Sequence, residues 1–555
     1  MPSNNFTGTS AGASRWLLVI AILLCSCTYA WGGRITPELL RAMETASPDA
    51  ELPVIVKLFD NVDTKALRES VAQAGKGERL KKVVLTLQDK AKMARKGLET
   101  HLAARESEGK VKKVKPFWIF NGFALTATPA AIRELAARPD VEEVLPDRVM
   151  KLSVPVSFTT AAAPGWNLDV IGAPTLWDRG FIGQGVVVAS LDTGVDLLHP
   201  ALGPKWRGGT NSWFDPSGEH PATPYDNTGH GTAVMGVMVG GNTGDNRVGV
   251  APGALWIAAK IFNDSGTGTD SAIHAAFQWL LEPDGNPETA DAPDVVNCSW
   301  DLAGDRGEGI GQYIDAFRTD IQVLKAAGIE VVFSAGNAGP SLGTSISPGN
   351  YPESLAVGAT DENDAVAFFS SRGPSAFDGI STYPGITAPG VHIRSADLTR
   401  NSTDGNAYSD LNTGTSFAAP HAAGAFALLL SGEFLLTAEQ IESAVRGGAR
   451  DLGPAGPDNS YGDGRLYIPG AAVILGLLPI PDGDVDGNGR VDVIDALLVL
   501  EAVAGVRPRD AAMLLHGDVA PLVEMNGALT PKPDGEISVA DALNLLRKSV
   551  GLVSW

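Results

Sequence analysis

Cysteine is nearly missing from this 555-residue chain, which has only Cys25, Cys27 and Cys298. A disulfide framework is thereby excluded. Cys298, near Val295, Val296 and Trp300, reads as a small apolar filler of a buried strand. Also missing, beyond the first thirty residues, is any apolar run long enough to span a bilayer, so no transmembrane anchor is expected. Positive charge is scarce too: 43 Lys+Arg stand against 64 Asp+Glu, a net charge of −21. That excludes nucleic acid as the main partner, because such binding needs a basic surface. The shortage is uneven. Residues 31–150 carry 21 Lys+Arg against 17 Asp+Glu, so the rest of the chain is net −25. A basic segment precedes an acidic body.

What is present begins with an export signal. Arg15 is followed by the apolar run Trp16 to Leu24 and then by small or polar residues, the order of a secretory leader. Cleavage after Ala30 would release a secreted protein. The alternative is processing within Leu24-Cys25-Ser26-Cys27, which would anchor the chain to the cell envelope through a lipid on Cys27. Four regions then separate by pattern: the signal (1–30), a mixed α/β unit (31–155), a larger region (165–475) and an acidic, Gly-rich tail (482–555). In the larger region short apolar strands alternate with amphipathic helices, which predicts a mostly parallel sheet with helices on both faces.

Three short segments of that region carry chemistry. Val186-Val187-Val188-Ala189-Ser190-Leu191-Asp192-Thr193-Gly194 is a buried strand whose Asp falls at the carboxyl edge, where open α/β sheets bind ligands. Asn227-Thr228-Gly229-His230-Gly231-Thr232 places a His at the start of an apolar helix. Asn412-Thr413-Gly414-Thr415-Ser416-Phe417-Ala418-Ala419-Pro420 leads into another helix, read as Ala422 to Leu430. Backbone N–H groups at such a terminus favour developing negative charge. Asp, His and Ser together supply what acyl transfer needs: a nucleophile, a base for its proton, and a carboxylate that fixes the base's tautomer. A fourth segment, Val331-Val332-Phe333-Ser334-Ala335-Gly336-Asn337, ends in an amide able to donate to an oxyanion without titrating.

These segments resemble those of the subtilisin family of serine proteases, and Asp, His, Ser is that family's chain order. Gly249-Val250-Ala251-Pro252-Gly253, Tyr351-Pro352-Glu353 and Ala388-Pro389-Gly390 extend the likeness across 165–475. The resemblance implies a serine endopeptidase acting on proteins or peptides, with Asp192, His230 and Ser416 as the triad and Asn337 as oxyanion donor. It also implies that Ser299, Trp300, Asp301 and Gly336 line the substrate cleft. Three positions depart from the common pattern: Ala233 where many relatives have a second His, Phe417 where Met is common, and Asp301 where Gly is usual. A carboxylate at 301 would narrow the cleft or favour basic side chains.

Residues 31–155 resemble that family's propeptide, a ferredoxin-like α+β unit that assists folding and then blocks the cleft as an intramolecular inhibitor. Its expected elements are strands at Pro53–Phe59, Phe117–Leu125 and Val141–Val144, a basic helix from about Leu80 to Ala104, and a helix from Pro129 to Arg138. Cleavage is expected between about Pro146 and Pro164.

The tail carries a duplication, Val493-Ile494-Asp495-Ala496-Leu497 recurring as Val539-Ala540-Asp541-Ala542-Leu543. In the first copy Asp484, Asp486, Asn488, Asp492 and Asp495 fall at calcium-loop positions 1, 3, 5, 9 and 12. Gly489 provides the turn and Arg490 a carbonyl. In the second, Asp518, Asp534 and Asp541 match positions 1, 5 and 12, and Glu536 supplies a carbonyl. The tail resembles a small α-helical dockerin module, which implies structural Ca²⁺ and a cohesin-like partner. No cofactor is expected for catalysis. Two other functions remain open on the sequence: a catalytically inactive peptide-binding relative, and a scaffold whose activity resides in the tail.

Overall fold

A computed structural model describes residues 32–152, 163–241, 247–303, 308–401, 407–509, 511–525 and 528–555. The stretch read as an export signal, with Cys25 and Cys27, and residues 153–162 of the expected cleavage region lie outside the described residues. By its contacts the chain divides into two units. Among the described residues, one comprises those up to Asn61 with Lys90–Pro116 and Asn121–Asp147, and the other Val62–Asp89, Phe117–Phe120 and those from Arg148 onward.

The first unit is built on strands β1 (Arg34–Ile35), β2 (Leu52–Leu58), β3 (Val111–Phe117), β4 (Gly122–Ala127) and β5 (Val141–Pro146), in the order β1-β5-β2-β4-β3. Helices α1 (Pro37–Thr45), α2 (Thr64–Val71), α3 (Lys76–Ser107) and α4 (Pro129–Ala136) punctuate the leader. From β2 to β5 the chain runs strand, two helices, strand, strand, helix, strand, which is the ferredoxin-like arrangement with α2 added ahead of the first crossover helix. Apolar residues of β2, β4 and β5 pack on Leu98 and Leu102 of α3 and on Ile132 and Leu135 of α4. The strand expected over Phe117–Leu125 is instead two strands joined by a turn. Asn121, at φ 49°, takes the left-handed conformation that Asn tolerates. The Asn121-Gly122 pair is a hairpin signal that the apolar run concealed. The long helix exceeds its expected span at both ends.

The second unit holds seven parallel strands. These are β7 (Val187–Asp192), β8 (Trp213–Phe214), β9 (Leu255–Lys260), β11 (Val295–Cys298), β12 (Glu330–Ser334), β13 (Leu355–Thr360) and β14 (Ile386–Pro389). Their order is β14-β13-β12-β11-β7-β9-β8. A separate antiparallel pair joins β6 (Val149–Lys151) to β10 (Thr267–Thr269). Helices α5 (His230–Val239), α6 (Asp270–Leu281), α7 (Arg318–Ala327), α8 (Thr415–Leu430) and α9 (Ala438–Gly447) follow. Side chains alternate across a strand, and β12 shows what each face meets. Val332 joins the core cluster that includes α5 and α8. Phe333 meets Trp300, which packs on Phe277 of α6 and on Phe317 just before α7. Both faces are therefore covered, which is why these strands read as unbroken apolar runs rather than alternating ones.

The tail pairs α10 (Val493–Val503) with α12 (Val539–Ser549), beside the short α11 (Ala511–Gly517). It is not wholly helical. The insert in the second copy forms an antiparallel ribbon, Leu522–Met525 against Ala528–Pro531.

Candidate active site and tail loops

Asp192 is the last residue of β7, and His230 is the first of α5. His230 Nδ1 lies 2.8 Å from Asp192 Oδ1, with both side chains buried. The same carboxylate oxygen accepts the Thr193 N–H at 2.7 Å. Helix and strand meet closely because residue 231 is glycine. A Cβ there would sit 2.2 Å from the Gly194 carbonyl oxygen. Thr193 adds a second tie, its hydroxyl accepting the Gly231 N–H at 2.9 Å. Opposite Asp192 in the sheet stands Lys260, fully buried, whose ammonium donates to the Thr193 carbonyl at 2.8 Å.

The sequence reading missed Asp226. Its carboxylate accepts the N–H groups of Thr228, Gly229 and Thr232 and the Thr232 hydroxyl, locking the loop that delivers His230. An Asp just ahead of a helix start was the available signal. Burial works against the imidazolium. The charge and hydrogen bond of Asp192, with the charge of Asp226, outweigh it and hold the His230 pKa above its ordinary 6.5.

Ser416 is the second residue of α8, which starts seven residues earlier than expected. Pro420 explains both the misreading and the local structure. Proline has no N–H, so the Ser416 carbonyl four residues back lacks its helical donor. The Ser299 hydroxyl fills that place at 2.7 Å and is itself held by Asn297 Nδ2 at 2.9 Å. Ser299 thus buttresses the helix rather than presenting its side chain to a cleft. Trp300 is likewise inside, in the aromatic cluster with Phe277, Phe317 and Phe333. Ser416 Oγ donates to the Ser299 carbonyl at 3.4 Å. His230 Nε2 is buried without a hydrogen-bond partner, so the Ser–His bond is not closed here. Such bonds are commonly long or unformed before substrate binds.

Asn337 is oriented by its oxygen, which accepts the Thr415 N–H at 3.0 Å and the Thr415 hydroxyl at 2.9 Å. That leaves its Nδ2 facing the helix terminus. Gly414, at φ 148°, shows where the donors converge: a Cβ on it would lie 3.6 Å from Asn337 Nδ2 and 3.7 Å from the Ser416 nitrogen. The backbone N–H groups of a helix's first turn have no intrahelical acceptor, so this gap suits an anionic oxygen. Gly336 is pinned by the Thr415 hydroxyl, which takes its N–H at 3.2 Å. Asp301 is half-buried. Burial lifts its pKa to about 6, against the pull of the Ala303 N–H. Its charge reaches the phenol of Tyr383, which donates to the Ala335 carbonyl at 2.6 Å, two residues before Asn337. The thiol of Cys298 is pushed well up by burial and by the Asp192 charge, so it is inert.

In the tail, one carboxylate oxygen each of Asp484, Asp486 and Asp495 lie within 4.8 Å of one another. Asp495 also accepts the N–H groups of Val485 and Asp486. Asp492 caps α10, its Oδ1 accepting the Ile494 N–H at 2.7 Å. Asn488 Nδ2 donates to Asp486, and its side-chain oxygen accepts the Arg490 N–H. The second copy repeats the scaffold: Asp541 accepts the Val519 and Ala520 N–H groups, and Asp518 those of Asp534 and Gly535. Burial and the neighbouring Asp534 and Asp541 charges push the Asp518 carboxyl well above its ordinary range. The Glu536 side chain is engaged by Arg450, leaving only its carbonyl for a loop ligand.

The buried pair sets a titration that can be read directly. The proton signals of His230 should titrate with a midpoint above 6.5, and Asp192→Asn should lower that midpoint. The linkage to folding has a definite sign. A raised folded pKa contributes stability that is complete below 6.5 and lost as pH rises through the folded value. Stability of the wild type relative to Asp192→Asn should therefore shrink across that window.

Comparison with known proteins agrees with this geometry. Residues 183–464 match the model of the subtilase family, and residues 55–153 match that of peptidase inhibitor I9. The chain is 37% identical to bacillopeptidase F of Bacillus subtilis (strain 168) over 493 residues, 82% of this chain but only 32% of that relative. It is 34% identical to subtilisin E of the same organism over 371 residues, 66% of this chain and 84% of the relative. It is also 34% identical to subtilisin of Bacillus pumilus over 309 residues, covering 55% of this chain and 98% of the relative. With the strand-end aspartate, the helix-start histidine and the I9 segment upstream, the chain belongs to the subtilase family.

Proposed function

We propose that the protein is a secreted serine endopeptidase, made as a precursor whose residues 31–155 inhibit it until they are cut away. The observation that carries this reading is the buried Asp192–His230 hydrogen bond beside a helix terminus that bears Ser416. In the reaction, Ser416 Oγ attacks the peptide carbonyl carbon while His230 Nε2 takes its proton. The resulting oxyanion rests between Asn337 Nδ2 and the Ser416 N–H. The C–N bond then breaks as His230 returns the proton to the leaving amine. Water repeats the sequence on the acyl-enzyme and restores the Ser416 hydroxyl. Asp192 keeps the imidazole in the tautomer this requires. Export rests on the N-terminal apolar run alone. No helix among the described residues is long and apolar enough to cross a membrane.

Asp301 sits close to the segment just beyond β12 that carries Ala335 and Asn337, so it is the residue we assign to substrate preference. Above pH ~6 its carboxylate favours a Lys or Arg side chain before the scissile bond. The tail is assigned to structural calcium. Three carboxylates gathered within 4.8 Å repel one another without a cation, and oxygen donors of this kind fit Ca²⁺. Asp484, Asp486 and Asp495 would hold it. Asn488, the Arg490 carbonyl and Asp492 complete the first loop, and Asp518, Asp534, the Glu536 carbonyl and Asp541 make the second.

A fluorophosphonate should label the processed protein at Ser416 and leave Ser416→Ala unlabelled; absence of labelling in folded, processed protein would favour an inactive peptide-binding relative. Asn337→Ala should lower kcat by about 10²–10³-fold, a scale taken from the corresponding loss in subtilisin itself. Preference for Arg over Leu substrates should rise between pH 5 and 7 and disappear in Asp301→Asn. Calcium at a hundred times its dissociation constant should stabilise the tail by about 2.7 kcal/mol, measured by thermal unfolding with and without chelator, and Asp484→Asn with Asp495→Asn should remove that gain.

A further inference from the structure

The leader contains a segment that an inhibitor of the cleft does not need. Val62–Asp89, comprising α2 and the first part of α3, packs with the second unit rather than with the ferredoxin-like body. Its place on the sheet is set by its neighbours. Lys76 and Arg79 line a cavity of about 360 Å³ together with Gly185, Asp294 and Gly328. Those three residues come just before β7, β11 and β12. Asp192, Ser299 and Asn337 lie at or beyond the opposite ends of the same strands. A five-residue strand spans roughly 17 Å, so this segment holds the edge of the sheet remote from the candidate active site. The leader has two other holds on this unit: the Phe117–Phe120 turn, whose Trp118 N–H donates to Gln278 of α6 at 2.7 Å, and a strand at the catalytic edge. There β6 pairs with β10, just after the strand whose last residue, Lys260, stands beside Asp192.

The remote contact is chemically complementary. Lys76 pairs with Asp294, a carboxylate that also accepts the Val187 N–H at the start of β7. Lys81 meets Glu288 at 2.7 Å, and Arg68 meets Glu439 at 3.2 Å. Gln88 donates to Glu282 at 2.7 Å. Burial alone would raise the Glu439 pKa, but its own helix-terminal N–H, Arg68 and Arg79 hold it below the ordinary value. Leu80, Val83, Val84 and Leu87 are buried at helical spacing on the same segment. A basic amphipathic segment is thus seated on an acidic face.

We propose that Val62–Asp89 is a second anchor of the leader, which keeps it bound after the chain is cut between 146 and 164, independently of the cleft. This rests on the reading of residues 31–155 as a cleavable leader. Holds joined by one chain act at high effective concentration, so the leader is freed only when all of them have let go. Release of the inhibitor is then governed by ionic strength at a face that takes no part in catalysis, and the partner that fits this face is the chain's own basic arm.

The test separates this from catalytic activity. In full-length Ser416→Ala protein, which cannot process itself, a recognition sequence for an added protease is placed within residues 153–162. After cutting, retention of the leader is measured by gel filtration across a salt series. The leader should co-elute at 0.1 M NaCl and be largely released at 1 M, where screening shortens from about 10 Å to about 3 Å. Lys76→Glu with Lys81→Glu should speed its release at 0.1 M at least tenfold and flatten the salt dependence. The charge swap Lys81→Glu with Glu288→Lys should recover retention relative to Lys81→Glu alone, which a folding defect would not do. Equal release from the parent and the reversed-charge protein at every salt concentration would overturn the second anchor. The outcome leaves labelling of the wild-type serine untouched, so the protease reading stands or falls separately.

Discussion

Taking a carboxylate out of water costs free energy that hydrogen bonds must offset, and at Asp192 they fall on one oxygen, the other being buried without a partner. Its Oδ1 accepts from His230 and from the Thr193 backbone. That bond requires α5 to meet the end of β7 almost backbone to backbone, which only a glycine at 231 permits. It requires the preceding loop to be fixed, which Asp226 does through its hydrogen bonds to Thr228, Gly229 and Thr232. Seven parallel strands, buried on both faces, make a rigid edge on which these groups hold their places.

The same logic governs α8. A proline six residues into a helix would ordinarily weaken it. Here the carbonyl it leaves without a donor becomes the attachment point for Ser299, linking the nucleophile's backbone to the neighbouring strand. Asn337 makes a parallel use of its two ends, the oxygen bound to Thr415 and the nitrogen left for chemistry. The Ser416 and Asn337 segments thus form one mechanical unit, tied by Thr415, Ser299 and Asn297.

Much of this was legible because it is local. Strand-end Asp, helix-start His and the Gly-Thr-Ser turn are fixed by neighbours a few residues away, and parallel strands covered on both faces announce themselves as apolar runs. What escaped depends on distance or on a masked local signal. Asn121-Gly122 was hidden inside an apolar stretch, so two strands read as one. The start of α8 was hidden by Pro420, whose structural consequence lies on another strand. The inward turn of the Ser299 and Trp300 side chains, claimed by a helix carbonyl and an aromatic cluster, is likewise set by distant partners. The division of the leader at Val62 and Asp89 could not be read, since a basic helix does not disclose which acidic face it meets.

The central claim is that this geometry makes Ser416 a nucleophile served by His230, and pre-steady-state kinetics with a nitrophenyl ester test it most directly. The account predicts a burst of about one nitrophenolate per chain from the processed protein, followed by slower turnover as the acyl-enzyme hydrolyses. The burst should vanish in Ser416→Ala and slow as pH falls below the His230 midpoint. Turnover without a burst that persists in Ser416→Ala would contradict it.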